Sequence, residues 1–177
     1  STSRRQRQMC IRDRFHLIKE NKIWLGYKSG NMAFKVPANS KERKTRFWID
    51  ESGQKWRSLG NICWYTNLDI PKRHDNLPLY KTYSPEEYPT YDNYDAININ
   101  KTADIPCDFD GVMGVPITFL DKYSPEQFDI LGMSASAGYN PDIVGIPFKG
   151  EKDARPLIHG KNTYARVFIQ KRKQSEQ

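Results

Sequence analysis

Between Thr45 and Leu68 three strand-forming runs follow one another with almost no spacing, and no other stretch limits the fold so tightly. Thr45-Arg-Phe-Trp-Ile-Asp50 and Lys55-Trp-Arg-Ser-Leu59 flank Glu51-Ser-Gly-Gln54, a Gly-containing turn, which predicts a β-hairpin. Asn61-Ile-Cys-Trp-Tyr-Thr-Asn-Leu68 follows as the most apolar strand of the chain, with Cys63 as a small core residue. Upstream, Phe15–Lys22 reads as the last turns of an amphipathic helix, with Leu17 and Ile18 toward the core and Asn21 as its C-terminal cap. Ile23–Tyr27 then forms a short buried strand. A helix end running into an apolar strand is an α/β signature, and α/β is the expected fold class.

The rest of the chain is more broken. Met32–Val36 reads as a strand closed by Pro37. From Asp69 to Tyr94, Pro and Tyr punctuate the pattern, so this segment is expected to wrap the surface. Tyr94–Ile99, Val112–Leu120 and Phe128–Leu131 are β-like. Ser124-Pro-Glu-Gln127 carries a helix-start pattern with Pro at the first helical position, and Tyr83–Tyr88 reuses it. A second hairpin is expected from Pro156–His159, a Gly160–Asn162 turn and Thr163–Gln170, followed by basic Lys171–Lys173 and a frayed polar tail, residues 174–177.

Composition narrows the class. Hydrophobic residues make up 37% and charged residues 28% of 177 residues, the profile of a soluble globular domain. No apolar run approaches the roughly 20 residues of a membrane span, and no secretory core is present. Three widely spaced cysteines (Cys10, Cys63, Cys107) form an odd set, which fits a reducing cytoplasm and no disulfide framework. The formal charge of +7 suggests a polyanion partner, but Arg4–Arg14 reads RRQRQMCIRDR, which back-translates into a sequencing-library adapter. Residues 1–14 are therefore expected to be adapter-derived and non-native. Without their five arginines and one aspartate, the other 163 residues hold 23 basic and 20 acidic side chains, a net of +3. Total charge is then weak evidence for DNA binding.

Few motifs of known chemistry survive inspection. His16, His74 and His159 are far apart and without metal-ligand spacing. Asp108-x-Asp110-Gly111 lacks the later ligands of a calcium loop and reads as a turn. Asn140-Pro-Asp-Ile143 differs from the Asn-Pro-Pro-aromatic motif of amino-methyltransferases. Ile143 cannot stack on a base, so a loop-to-strand transition is expected there. Asp142 with Glu151-Lys152 hints at a metal-dependent nuclease, but adjacent Glu and Lys on a strand point to opposite faces. No glycine-rich phosphate loop and no nucleophile elbow is present. What remains is a basic and aromatic cluster: Lys41, Arg43, Lys44, Arg46, Trp48, Lys55, Trp56 and Arg57. Strand alternation would put Arg46 and Trp48 on one face and Arg43 and Thr45 on the other. That mixture suits phosphate contacts with base stacking, and it equally suits a solvated hairpin with buried tryptophans.

Several blocks together resemble a known family. These are Ile18-Lys-Glu-Asn-Lys-Ile-Trp-Leu-Gly26, Lys55–Leu68, Lys72-Arg73, Tyr91–Asn98, Asp110–Leu120 and Lys161-Asn-Thr-Tyr-Ala-Arg166. In this order, over residues 15–173, the chain resembles the EcoRI-type adenine-specific DNA methyltransferases. The resemblance implies transfer of a methyl group from S-adenosylmethionine to the exocyclic amine of a flipped adenine in double-stranded DNA, without a metal, in a bacterial or phage restriction–modification setting. It further implies that Ile23–Gly26 and Asn61–Leu68 are late strands of a Rossmann-like methyltransferase sheet. Residues 15–69 would form the sheet with an inserted hairpin, and residues 70–173 a β-rich DNA-recognition and closing part of an incomplete domain. The family's cofactor loop and Asn-Pro-Pro-Phe motif lie upstream of the helix that Phe15–Lys22 ends. The missing half would then bind S-adenosylmethionine, no catalytic or cofactor residue carries over, and the chain alone would be inactive. The DNA-contacting candidates are Arg43, Lys44, Arg46, Lys55 and Arg57. A non-catalytic DNA-binding module is the alternative, and the nuclease ranks last.

Overall fold

The computed structural model describes residues 14–134, 140–150 and 154–173. All but Arg14 of the segment 1–14 expected to be adapter-derived, the Glu151-Lys152 pair and the tail from 174 onward lie outside the described residues. The chain divides into two units, one of Trp24–Leu68 and one of the residues on either side of it. Mixed α/β character holds, with mostly sheet and little helix.

Trp24–Leu68 forms a three-stranded antiparallel sheet in the order β1-β3-β2, where β1 is Trp24–Lys35, β2 is Phe47–Ile49 and β3 is Lys55–Thr66. The hairpin expected from the sequence is present as β2 and β3. Its turn is closed by Asp50, whose Oδ1 accepts from Ser52 N (3.0 Å), Ser52 Oγ (2.6 Å) and Gln54 N (2.9 Å). The two short strands expected at Ile23–Tyr27 and Met32–Val36 are one long strand. A partner of equal length supplies hydrogen bonds along it, and a register shift between Leu25 and Ser29 absorbs the polar interruption. β3 likewise runs through the break expected at Gly60. There φ is +79°, a left-handed conformation that glycine adopts without strain, next to the second register shift at Met32/Ala33.

In the larger unit a helix, α1 (residues 14–19), ends as expected at Asn21, with φ +55°. Lys22 N donates to Leu17 O (2.8 Å) and Asn21 N to Ile18 O (3.0 Å), the paired bonds of a left-handed helix terminus. Phe15 and Ile18 are the buried positions; Leu17 is only half-buried.

A four-stranded sheet follows in the order β4-β5-β9-β6: β4 Ile97–Asn98, β5 Met113–Pro116, β6 Phe128–Met133 and β9 Arg166–Lys171. The expected second hairpin is corrected here. β7 (Leu157–Ile158) pairs only with β8 (Lys161–Asn162) around a tight turn at His159 and Gly160. β9 instead enters between β5 and β6, because Val167, Phe168 and Ile169 are all fully buried and need a sheet neighbour on each side.

Other expectations change as well. Asp69–Tyr94 does not simply wrap the surface: Tyr88, Tyr91 and Tyr94 are buried, each hydroxyl with an acceptor. Tyr91 and Tyr94 meet Phe168 at 6.4 and 4.8 Å between ring centroids. Only Ile97–Asn98 of Tyr94–Ile99 is strand, and Val112–Leu120 leaves the sheet at Pro116 for a 3-10 turn, Ile117–Lys122. The Ser84 and Ser124 helix starts close a single turn each and do not propagate. Asn140–Ile143 is not a loop-to-strand transition. It opens a one-turn helix, α2 (Pro141–Val144), whose N-cap Asn140 accepts from Asp142 N (3.0 Å). Among the described residues no helix is long and apolar enough to cross a membrane.

Two outcomes follow from this packing. A Cβ on Gly132 would lie 1.7 Å from the backbone oxygen of Val144, so β6 and α2 must separate to accept a methyl group. Gly132→Ala should lower Tm by roughly 10 °C in a thermal melt, and an unchanged Tm would contradict this close approach. His74 bridges Glu126 (Nδ1, 2.8 Å) and Asp69 (Nε2, 2.7 Å), and those two bonds raise its pKa above 6.5, Glu126 contributing most. The tie is therefore complete below the ordinary histidine range and is lost as pH rises through the raised value. An NMR titration of the His74 ring should give a midpoint above 6.5 that Glu126→Gln moves down. A midpoint at or below 6.5 would contradict the bridge.

Candidate nucleic-acid interface

Register decides which side chains meet on the small sheet. Lys35 pairs with Trp56 and Trp56 with Trp48, whereas Phe34 pairs with Arg57, Arg57 with Phe47, and Lys55 with Ile49. Directly opposed residues of antiparallel strands share a face. Lys35, Trp56 and Trp48 therefore form a row on one face, and Arg57 and Lys55 stand among Phe34, Phe47 and Ile49 on the other.

The tryptophan row is held from several sides. The Trp48 and Trp56 rings are parallel within 6°, with centroids 6.4 Å apart. Lys35 Nζ lies 5.6 Å from the Trp56 ring centroid, a cation–π contact, and Trp56 Nε1 donates to Asp50 Oδ2 at 2.8 Å. Asp50 thus ties the hairpin turn to the aromatic row. Its carboxyl is held down to about 2, first by the Ser52 hydroxyl and then by Trp56 and the backbone of Gln54 and Ser52. Trp56 is half-buried, while Trp48 keeps 43% of its surface exposed. A fixed, partly open indole beside a lysine is a stacking surface for a planar ring.

The five candidate cations do not converge. Arg43 and Lys44 are exposed in the segment between β1 and β2. Arg46 is not placed with Trp48 by strand alternation. It precedes β2 at φ +58°, and its guanidinium folds back over Gly60, with Nη1 donating to Leu59 O at 3.4 Å. A Cβ on Gly60 would meet Arg46 Nη1 at 2.5 Å, so the glycine makes room for that fold. Lys55 is turned to Ser40 O (3.4 Å) and Glu42 (3.7 Å). Arg57 is half-buried on the phenylalanine face. Lys35, which sequence reasoning missed, is the cation that meets the tryptophans; its partner depends on the register shift at Met32/Ala33, which no local pattern announces. Cys63 is half-buried and not a full core residue.

Charge separates sharply along the chain. Residues 24–68 hold eight lysines and arginines against three acids, a net of +5, whereas residues 69–173 hold 13 against 15, a net of −2. The modest total hides a strongly basic sheet unit. Among the described residues no three His, Cys, Asp or Glu side chains gather as a metal site. His74 is engaged by two carboxylates, and Asp108 accepts from Tyr83 N at 2.7 Å. Asp142 stands in the first turn of α2.

The depressed Asp50 carboxyl gives the hairpin a defined acid limit. Its contribution is present above the ordinary value of 3.8 and is lost as pH falls through about 2. A carbon-detected NMR titration should place the Asp50 midpoint near 2, and Ser52→Ala should raise it. A midpoint near 3.8 in the parent chain would contradict this network.

The family model described as Adenine-specific methyltransferase EcoRI matches residues 5–173. The Type II methyltransferase M.EcoRI of Escherichia coli is 46% identical over 164 residues, covering 90% of this chain and 46% of the relative. M.MgeORF184P of Mycoplasma genitalium is 34% identical over 165 residues, and M.MpnI of Mycoplasma pneumoniae 33% over 166; each match covers 89% of this chain and 52% of the relative. The chain spans about half the length of these curated relatives. No solved structure matches. On this evidence, carried through nearly the whole of the described sequence, the chain belongs to the EcoRI-type family of adenine-specific methyltransferases.

Proposed function

We propose that this chain is the DNA-holding part of an enzyme that transfers a methyl group from S-adenosylmethionine to the exocyclic amine of adenine in double-stranded DNA, in a bacterial or phage cytoplasm. The concentration of charge carries the reading: a net of +5 on the 45 residues from Trp24 to Leu68, beside an ordered Lys35–Trp56–Trp48 row. Basic side chains on the β1–β2 segment contact phosphates, and Trp48 offers its open ring to a base. Extruding a base breaks stacking worth a few kcal/mol, which such contacts offset. Residues Ile23–Gly26 and Asn61–Leu68 belong, in this reading, to a Rossmann-like sheet in the full-length enzyme. The exposed Trp64 and Leu68 support that, since apolar surface of this kind commonly marks an interface.

The described residues do not fit the cofactor or the catalytic amide. Asn140 is the one near-match to the catalytic motif, and its side-chain oxygen is committed to Asp142 N at 3.0 Å. Cofactor binding and amine polarisation are therefore assigned to the portion of the relatives' length that this chain does not match, and no catalytic step is derived from the residues present. Given labelled methyl donor and duplex DNA, the chain by itself should transfer nothing; turnover would overturn that assignment.

DNA binding is tested by fluorescence anisotropy of a labelled duplex over a range of salt. Arg43→Glu with Lys44→Glu should weaken binding by tenfold or more, on the order of two lost phosphate contacts, and flatten the salt dependence by about two units of slope. An unchanged affinity and slope would place the DNA contacts elsewhere.

A further inference from the structure

Arg166, the first residue of β9, is 7% exposed and is the one charged side chain in the buried set of the described residues. All its hydrogen-bond partners are neutral. Its Nε donates to Asn98 Oδ1 at 3.1 Å, and Tyr91 Oη donates to the same oxygen at 2.7 Å. Its backbone N–H donates to Ser134 Oγ at 2.7 Å, and its carbonyl accepts from Ser134 N at 2.9 Å. No ion pair of Arg166 with a carboxylate is present among the described residues.

A guanidinium cannot shed its charge by deprotonating, so burial without a counter-charge is a standing cost to the folded protein. Tyr91 does not supply that counter-charge. Burial pushes its hydroxyl far above the ordinary phenol range, with Arg166 only partly opposing the shift, so it stays a neutral donor. Such a cation is stabilised once an anion reaches it.

Topology puts this group where an open mixed sheet presents ligands. β4 runs parallel to β5, and β5 and β6 are each antiparallel to β9. The carboxyl ends of β4, β5 and β6 therefore lie at the same edge as the amino end of β9. Asn98, Pro116, Ser134 and Arg166 gather there, with Asn100 bonded to Asn98 Nδ2 at 3.0 Å. Ligands of open α/β sheets bind outside the carboxyl ends of the strands.

We propose that Arg166, braced by Asn98 and Tyr91, is an oxyanion-binding site, and that the oxyanion is a backbone phosphate of the DNA assigned above. The choice of DNA as the source rests on the functional reading; the oxyanion chemistry rests on the buried, unbalanced guanidinium. Asn98, through Nε, and Tyr91 hold the guanidinium in place, and the donors that these two do not engage are left for phosphate oxygens.

Two measurements on the full chain test it. The first is thermal melting with low-millimolar sodium phosphate, too dilute for its general kosmotropic stabilisation, against sodium chloride of equal ionic strength. Phosphate should raise the Tm of the parent chain, raise that of Arg166→Lys less, and leave that of Arg166→Met unmoved. In chloride, Arg166→Met should melt no lower than the parent. The second is duplex binding, where Arg166→Met should weaken affinity about tenfold and reduce the salt slope by about one. Absence of any phosphate effect on the parent chain would overturn the site whether or not the variants fold. A lower Tm for Arg166→Met in chloride with unchanged duplex affinity would also overturn it, making Arg166 a structural cation. A phosphate effect lost in Arg166→Met with duplex affinity intact would support the oxyanion site and overturn DNA as its source. A parent chain that responds to phosphate but binds no duplex would likewise keep the site and overturn the functional reading itself.

Discussion

A strand buried on both faces must be apolar at every position, and it must find hydrogen-bonding neighbours on both edges. Val167-Phe168-Ile169 meets the first condition, with all three side chains fully buried. The second is met by β5 on one side and β6 on the other. Each of these side chains removes enough apolar surface from water to contribute roughly 1.5–3 kcal/mol. Phe168 also anchors Tyr91 and Tyr94, so the β9 insertion draws the Tyr-rich segment into the core. The same insertion carries Arg166 to the sheet edge, next to Asn98 and Ser134. Core formation and the placement of an unbalanced cation are thus one event.

The smaller unit is built on other terms. Among its described residues no hydrophobic side chain reaches the buried class. Its order comes from the long β1–β3 ladder, from the Asp50-centred turn and from the row of Lys35, Trp56 and Trp48. A sheet with a net charge of +5 is well suited to face a polyanion. Arg46 illustrates the division of labour: its guanidinium covers Gly60 and bonds the Leu59 carbonyl, which shapes the bulge. Arg43 and Lys44 remain exposed at the surface of the same unit.

Local chemistry was legible where it acts over a few residues. The Gly53 hairpin and the Asn21 helix terminus follow from turn and cap residues alone. What depends on distant partners was not. β1 reads as two strands because its polar middle breaks the apolar pattern; only β3, some thirty residues on, makes it continuous. β9 reads as the return arm of a hairpin because β8 lies nearest in sequence, while its actual neighbours are β5 and β6. The helix starts at Ser84 and Ser124 carry sound capping chemistry, yet the residues after them find more burial outside a helix. At the candidate interface, residue type pointed to the β2–β3 hairpin, and register assigned Lys35 to the tryptophans and Lys55 and Arg57 to the opposite face. Arg166 left no local signal, since an arginine before an apolar run is unremarkable until its burial is known.

The central claim is that the basic three-stranded unit, and not the acidic remainder as a whole, faces DNA. Amide hydrogen exchange of the full chain, with and without a saturating duplex, tests this most directly. The account predicts slowed exchange concentrated in the segment between β1 and β2 and along β2 and β3, with a second, smaller site around Asn98 and Arg166. Protection confined to other parts of residues 69–173, with residues 36–57 unaffected, would contradict it.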